Sequence, residues 1–216
     1  MKPLADCRLY AFVDSAYLHG REPAELAQQL CDGGADILQL RAKDWTEPEV
    51  REAAEAILPI TRAAEVPLVI NDHWALASEL GAEFCHLGQE DFFEPDDDPT
   101  PELTFPGPQL GLSSHAPEQA EAALEEDADY IAVGPVFPTP TKPDRAGVTL
   151  EYVRWAAEHL RDCPWFAIGG ITLENVDDVL AAGARRICVV SAILNASDVA
   201  HACQQFQERL ASVPLD

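Results

Sequence analysis

Gln39, Arg41 and Lys43 alternate along a short apolar run, so their side chains leave the same side of an extended segment. Two cations placed this way can grip a pyrophosphate, and the Gln39 amide can hydrogen-bond a heterocycle. A structural reading competes: the three close the interior of a barrel, with Arg41 paired to a carboxylate. Asn71-Asp72 ends a second apolar run, and Gly88-Gln89-Glu90-Asp91 ends a third. Carboxylates at the ends of neighbouring strands can share a hard cation. Mg²⁺ takes one or two of them and completes its shell with water and substrate phosphate. Taken alone, Asp72 reads equally well as a helix N-cap. Thr139-Pro140-Thr141-Lys142 puts two hydroxyls and an ammonium on a proline-rich loop, which suits a phosphate, a lid or a plain solvated turn. Gly169-Gly170 and Val189-Val190-Ser191 offer backbone N–H groups that a phosphate can approach closely, although tight turns need Gly-Gly as well.

Nearly all of these residues, and Ser113-Ser114-His115 with them, lie at or just past the end of one of eight short apolar runs. The runs fall at 8–13, 36–41, 67–70, 84–87, 109–112, 130–133, 165–168 and 187–190. Helical patterns separate most of them. One starts near Glu22 with Pro23 in its first turn and stops at Gly33-Gly34. Another opens on a capping box, Thr46-x-x-Glu49, and repeats Val50, Ala53, Ala54, Ile57 and Leu58 at helical period. A third carries Val176, Val179 and Leu180 and closes at Gly183. Strands alternating with helices predict a parallel sheet. No GxGxxG follows the first strand, which favours a closed barrel over an open doubly wound sheet. The expected fold is a single (β/α)8 TIM barrel over residues 1–216, whose strand-end loops gather distant residues on one face. Residues 92–108, rich in Pro and Asp, read as an irregular surface loop.

The formal charge is −24, from 14 Lys and Arg against 38 Asp and Glu. That argues against nucleic acid or an anionic membrane as a partner. It does not exclude a small anion. The Debye length is about 8 Å at physiological salt, so distant carboxylates are screened. A cation about 4 Å from a phosphate gains several times more at a partly buried site than in bulk water. The chain has three lysines, Lys2, Lys43 and Lys142, and two of them stand in the motifs above. No apolar run approaches the ~20 residues that span a membrane. The N-terminus lacks the long apolar segment of a secretory signal. Six cysteines without a CxxC pair read as reduced thiols of a cytoplasmic protein. Zinc is not expected, because HExxH and Cys/His clusters are absent. Nor is there a GxSxG nucleophile motif. His19, His159 and His201 read as surface residues, and His86 as a hydrogen-bonding group of the core.

The motifs, taken in order, carry a family resemblance. They are Gln-Leu-Arg-x-Lys-Asp from Gln39, Asn71-Asp72, His-Leu-Gly-Gln-Glu-Asp from His86 and Gly-x-Ser-x-His from Gly111. Then come Val-Gly-Pro-Val-Phe-Pro-Thr-x-Thr-Lys from Val133, Ile-Gly-Gly-Ile from Ile168 and Val-Val-Ser-Ala-Ile from Val189. From about Leu9 to Ile193 the chain resembles the thiamine-phosphate synthases. The resemblance implies a (β/α)8 barrel that joins hydroxymethylpyrimidine pyrophosphate to a thiazole phosphate, with thiamine phosphate and pyrophosphate as products. Gln39, Arg41, Lys43 and Asn71 would hold the pyrimidine pyrophosphate, and Asp72 and Asp91 would bind Mg²⁺. Ser113 and Lys142 would contact the pyrophosphate and assist its departure. Thr139 and Thr141 would hold the thiazole substrate, and Gly169, Val189, Val190 and Ser191 its phosphate.

The reaction so implied needs no protein nucleophile. It needs the leaving charge neutralised and water kept out. Arg41, Lys43, Ser113 and Lys142 are therefore the expected catalytic set. Two departures stand out: His73 and Ala75 occupy positions where the family commonly has Arg and an acid, and the 92–108 loop is unusual. Two other functions are consistent with parts of the pattern. The related thiazole tautomerase shares the phosphate site, but it typically carries a histidine where this chain has Pro135. A silent phosphate-binding barrel would bind ligand without turnover.

Overall fold

A computed structural model of the chain describes residues 1–93, 106–139 and 147–215. Eight parallel strands close into a barrel in chain order: β1 (Leu9–Asp14), β2 (Ile37–Arg41), β3 (Leu68–Asn71), β4 (Phe84–Leu87), β5 (Gln109–Ser114), β6 (Tyr130–Val133), β7 (Trp165–Ile168) and β8 (Ile187–Val189). β8 pairs back onto β1, so no edge is left open. Parallel neighbours need crossovers, and helices supply them. These are α1 (Pro23–Asp32), α2 (Glu47–Ala63), α3 (Trp74–Leu80), α4 (Gln89–Phe93), α5 (Pro117–Glu125), α6 (Thr149–His159) and α7 (Val176–Ala181). After β8 come a short α8 (Ser191–Leu194) and the C-terminal α9 (Val199–Ala211). The expected TIM barrel is what the chain forms.

Local chemistry sets the helix ends. Pro23 fills the first position of α1, and the chain leaves that helix through Gly34 at φ +84°. At α2 the backbone N–H of Thr46 donates to Glu49 Oε2 at 2.7 Å. This helix buries Val50, Ala53, Ala54, Ile57 and Leu58, as their spacing predicts.

Alternation sorts the strand residues between two apolar layers. Leu9, Ala11 and Val13 of β1 point outward to the helices. Tyr10 and Phe12 point into the barrel, where Ile37, Val69, Phe84, Tyr130, Phe166 and Cys188 meet them. Tyr130 fits because Gly111 stands opposite it in the β5–β6 register; a Cβ there would lie 2.1 Å from its ring carbon Cζ. The inward series on β1 and β2 continues upward as Asp14 beside Arg41, which are register partners.

Four strands end a residue or two away from the sequence expectation. β1 runs on to Asp14, β3 to Asn71 and β5 to Ser114, and β8 stops at Val189. Polar residues look like strand terminators, but Asp14, Ser113 and Ser114 are buried and hydrogen-bonded inside the wall. Of the 92–108 loop, Glu94 to Phe105 lie outside the described residues, and Phe92 and Phe93 belong to α4.

Candidate active site

The C-terminal ends of the strands surround a cavity of about 300 Å³. Gln39, Arg41, Lys43, Asn71, Asp72, Asp91, Ser113, Thr139, Gly169, Val190 and Ser191 all line it. Residues as distant in sequence as Gln39 and Ser191 thus share one mouth, because parallel strands present their C-terminal ends together.

On the β1–β2 side the two readings of Arg41 prove compatible. Its Nη1 donates to Asp14 Oδ2 at 2.9 Å, and Asp14 is fully buried. Asp14 Oδ1 also accepts from the backbone N–H of Ala16 at 3.0 Å. The guanidinium therefore closes a polar layer and still borders the cavity, anchored with donors to spare. Gln39 lies one layer lower and donates through Nε2 to the Tyr10 hydroxyl at 2.6 Å.

Lys43 stands between the two carboxylates expected to hold metal. Its Nζ lies 2.6 Å from Asp72 Oδ2 and 3.4 Å from Asp91 Oδ2. Burial works against the Lys43 ammonium, but the charges and hydrogen bonds of Asp72 and Asp91 outweigh it and raise its pKa. Asp72 is not a helix cap. His73 holds that position at α3, while Asp72 takes φ +66°, a conformation uncommon for a residue with a side chain. Its N–H donates to the His86 carbonyl across the β3–β4 ladder, at 2.9 Å. Asp91 sits in the first turn of α4, its carboxylate folded back over Gly88. A Cβ on residue 88 would lie 2.3 Å from Asp91 Oδ2.

Does this pair suit a divalent cation? Asp72 Oδ1 is buried with no hydrogen-bond partner, an acceptor that costs free energy unless something occupies it. Among the described residues no group of three or more His, Cys, Asp or Glu is placed to hold a metal ion by itself. Two carboxylates that already share one cation, the Lys43 ammonium, have the hard oxygen chemistry of a Mg²⁺ site, and Mg²⁺ leaves most of its shell to water and phosphate.

Across the cavity, Gly169 and Gly170 take φ +103° and +64°. Side chains are excluded there by space as well as by backbone. A Cβ on Gly169 would meet Pro135 at 2.4 Å, and one on Gly170 would meet Phe137 at 2.8 Å. The amide of Asn175 pins this loop by donating to the Gly170 carbonyl at 2.9 Å. Ser191 opens α8, the short extra helix that often completes a phosphate site after strands seven and eight of such barrels. Val189 is different from its neighbours: its side chain packs outward among the helices, so only its backbone belongs to this edge. Thr139 is half-buried at the rim, whereas Thr141 and Lys142 lie outside the described residues.

The floor holds groups that motif reading does not assign to the site. Tyr10, Phe12, His86 and Ala132 line the cavity from below. His86 is the core hydrogen-bonder expected, through Nδ1 to the Tyr130 hydroxyl at 3.1 Å and Nε2 to Ser113 Oγ at 3.0 Å. Motif reading also passes over Asp14, although it follows an apolar run, as the other site residues do. The alternation Tyr10, Phe12, Asp14 is the signal that points to it.

A face carrying Arg41 and Lys43 and a glycine-backbone face across one cavity fit a class: a (β/α)8-barrel enzyme that handles phosphorylated small molecules. The family model described as thiamine monophosphate synthase matches residues 9–193. A thiamine-phosphate synthase of Thermus thermophilus is 51% identical over 183 residues, covering 84% of this chain and 85% of that one. A thiamine-phosphate synthase of Acidothermus cellulolyticus is 42% identical over 213 residues, 97% of both chains. The solved thiamine phosphate pyrophosphorylase of Pyrococcus furiosus superposes with a TM-score of 0.83 at 28% identity, covering 97% of this chain and 98% of that one. The chain belongs to the thiamine monophosphate synthase family, and it is a transferase of thiamine biosynthesis.

Proposed function

We propose that the chain, as one barrel domain over residues 1–216, transfers the pyrimidinylmethyl group of 4-amino-5-hydroxymethyl-2-methylpyrimidine pyrophosphate, through its C5 methylene carbon, to the ring nitrogen of a thiazole phosphate. The C–O bond to pyrophosphate breaks, and its electron pair leaves with the pyrophosphate. The thiazole nitrogen then donates its lone pair to the methylene carbon, giving thiamine phosphate. The observation that carries this reading is the Lys43–Asp72–Asp91 cluster beside Arg41, facing the glycine edge across a cavity of about 300 Å³. It supports two anion sites of different chemistry within one substrate's reach of each other.

Arg41, Lys43 and Ser113 hold the pyrophosphate of the first substrate, Gln39 and Asn71 its heterocycle, and Lys142 meets charge as it develops on the leaving group. A unit charge pair about 4 Å apart is worth about 4 kcal/mol at an effective dielectric near 20. Cations therefore contribute most where the negative charge is newly concentrated on the leaving oxygen. Thr139 and Thr141 hold the thiazole, and the backbone of Gly169, Val189, Val190 and Ser191 its phosphate. Asp72 and Asp91 would hold Mg²⁺, which supplies further charge neutralisation to the pyrophosphate when bound. The substrates are the proposed small-molecule partners. The cytoplasm is the proposed compartment, because all six cysteines are free thiols and five of them are buried.

Purified protein with both substrates and Mg²⁺ should release thiamine phosphate and pyrophosphate in equal amounts, and chelation should stop it. Asp72→Ala should greatly weaken turnover with the fold intact. Undiminished turnover by Asp72→Ala without added metal would overturn the metal assignment. Absence of both products in the wild type would overturn the function.

A further inference from the structure

The cavity floor contains a continuous hydrogen-bonded chain whose three middle members, Tyr10, Tyr130 and His86, the mechanism above does not use. Gln39 Nε2 donates to the Tyr10 hydroxyl at 2.6 Å. The Tyr10 and Tyr130 hydroxyls lie 2.9 Å apart, Tyr130 reaches His86 Nδ1 at 3.1 Å, and His86 Nε2 reaches Ser113 Oγ at 3.0 Å. All five side chains are buried, and the series crosses the barrel from β2 through β1, β6 and β4 to β5.

Proton counting gives this chain a direction. Burial raises both tyrosines well above their ordinary values, so each keeps one proton. A neutral imidazole also has one. Because Gln39 donates to Tyr10, the Tyr10 proton is left for Tyr130, and the Tyr130 proton for His86 Nδ1. A neutral His86 then carries its proton on Nε2 and donates it to Ser113 Oγ. The Ser113 hydroxyl, already an acceptor from below, is left with its proton to donate into the cavity.

We propose that Tyr10, Tyr130 and His86 are positioning residues that make Ser113 an obligatory hydrogen-bond donor to a diphosphate oxygen of the substrate. The ligand's identity rests on the proposed function; the direction of the chain does not. A fully ionised diphosphate presents acceptors only, so a serine free to turn its lone pairs outward would be a poorer partner. Were the imidazole to take the other tautomer, Nε2 would accept from Ser113 and that donor would be lost to the substrate. The ring stack of Tyr130 on His86, with centroids 5.6 Å apart, holds the imidazole plane in place.

The first test needs no substrate. Nitrogen NMR of the ¹⁵N-histidine-labelled protein should show His86 with its proton on Nε2 and Nδ1 bare. The Tyr130→Phe variant, which keeps the ring and removes the hydroxyl, should lose that tautomer preference. A proton on Nδ1 in the wild type would overturn the direction assigned. The second test is a double-mutant cycle read by calorimetry with inorganic pyrophosphate and Mg²⁺, so it does not depend on turnover. Ser113→Ala should weaken binding roughly tenfold or more, as expected for a hydrogen bond to a charged group, and Tyr130→Phe by about three- to tenfold. Tyr130→Phe added to Ser113→Ala should then weaken binding no further. Additive losses would show that Tyr130 acts elsewhere and would overturn the proposal. Should the wild type bind pyrophosphate in this pattern yet make no thiamine phosphate, the proposed function fails and the positioning chain stands. In steady state, His86→Gln, which can keep a donor near Ser113, should retain more activity than His86→Ala. The KM for thiazole phosphate should be unchanged in both, and equal activity of the two would count against the chain.

Discussion

Removing Arg41 should destabilise the protein before it reports on substrate. Asp14 is wholly buried, and its Oδ2 has Arg41 Nη1 as a partner at 2.9 Å. The Arg41 side chain is only 18% exposed, so solvent screens the pair weakly. Keeping a buried charge while deleting its partner typically costs about 3–5 kcal/mol, more than the pair itself contributes. Total stability is on the order of 5–15 kcal/mol for a domain. Arg41→Met should therefore remove a large share of it. For a chain of this size that corresponds to a fall in Tm of about 10 °C, at about 2–4 °C per kcal/mol. Asp14→Asn in the same chain takes away the stranded charge and can still accept from the Ala16 N–H. The double variant should recover all but about 1–2 kcal/mol, the residual cost of imperfectly paired buried polar groups. Urea and thermal unfolding of wild type, both single variants and the double variant, at one pH and salt, would measure this. Arg41→Met within about 1 kcal/mol of wild type would refute the reasoning, as would a double variant no more stable than Arg41→Met. Diphosphate binding should stay impaired in the double variant, which separates the substrate contact from the structural one.

Lys43→Met should tighten Mg²⁺ binding in the absence of substrate, since its ammonium now occupies the space between Asp72 and Asp91. The gain should not exceed about fivefold, because partly exposed pairs are worth under about 1 kcal/mol; weaker Mg²⁺ binding in a calorimetric titration would refute it. Gly169→Ala should cost about 1–3 kcal/mol for the positive φ and about 1–3 kcal/mol more for the clash with Pro135. It should abolish thiazole phosphate binding while pyrimidine pyrophosphate still binds, and calorimetry showing equal loss of both would contradict two separable sites. Burial pushes the Cys7 and Cys203 thiols from 9.0 up to about 12. Their folded forms hold protons that the unfolded chain releases, so stability is full below pH 9 and falls as pH rises toward 12. The slope is about 1.4 kcal/mol per pH unit for each thiol. Denaturant midpoints at about pH 8, 9 and 10 should decline, and less steeply in Cys7→Ala; an unchanged slope in that variant would count against the assignment.

The chain's periodicities were enough to specify its layers. Eight apolar runs separated by helical patterns admit few arrangements, and the placement of Arg41, Asp72, Asp91 and Ser191 after such runs already located the mouth. That is local information: a strand end is visible within a few residues, and a capping box such as Thr46–Glu49 within a single turn. Partnerships were not visible, because they depend on barrel closure and register. Asp14 meets Arg41 only because β1 and β2 pair with those two residues opposite. Whether Asp72 caps a helix was open in sequence; the fold gives the cap to His73 and leaves Asp72 at φ +66° with a bare Oδ1. Tyr10, His86, Ser113 and Tyr130 lie on four strands, and no spacing rule relates them. They form one hydrogen-bonded chain because closing the barrel brings its inward faces together, and polar groups so deeply buried satisfy one another.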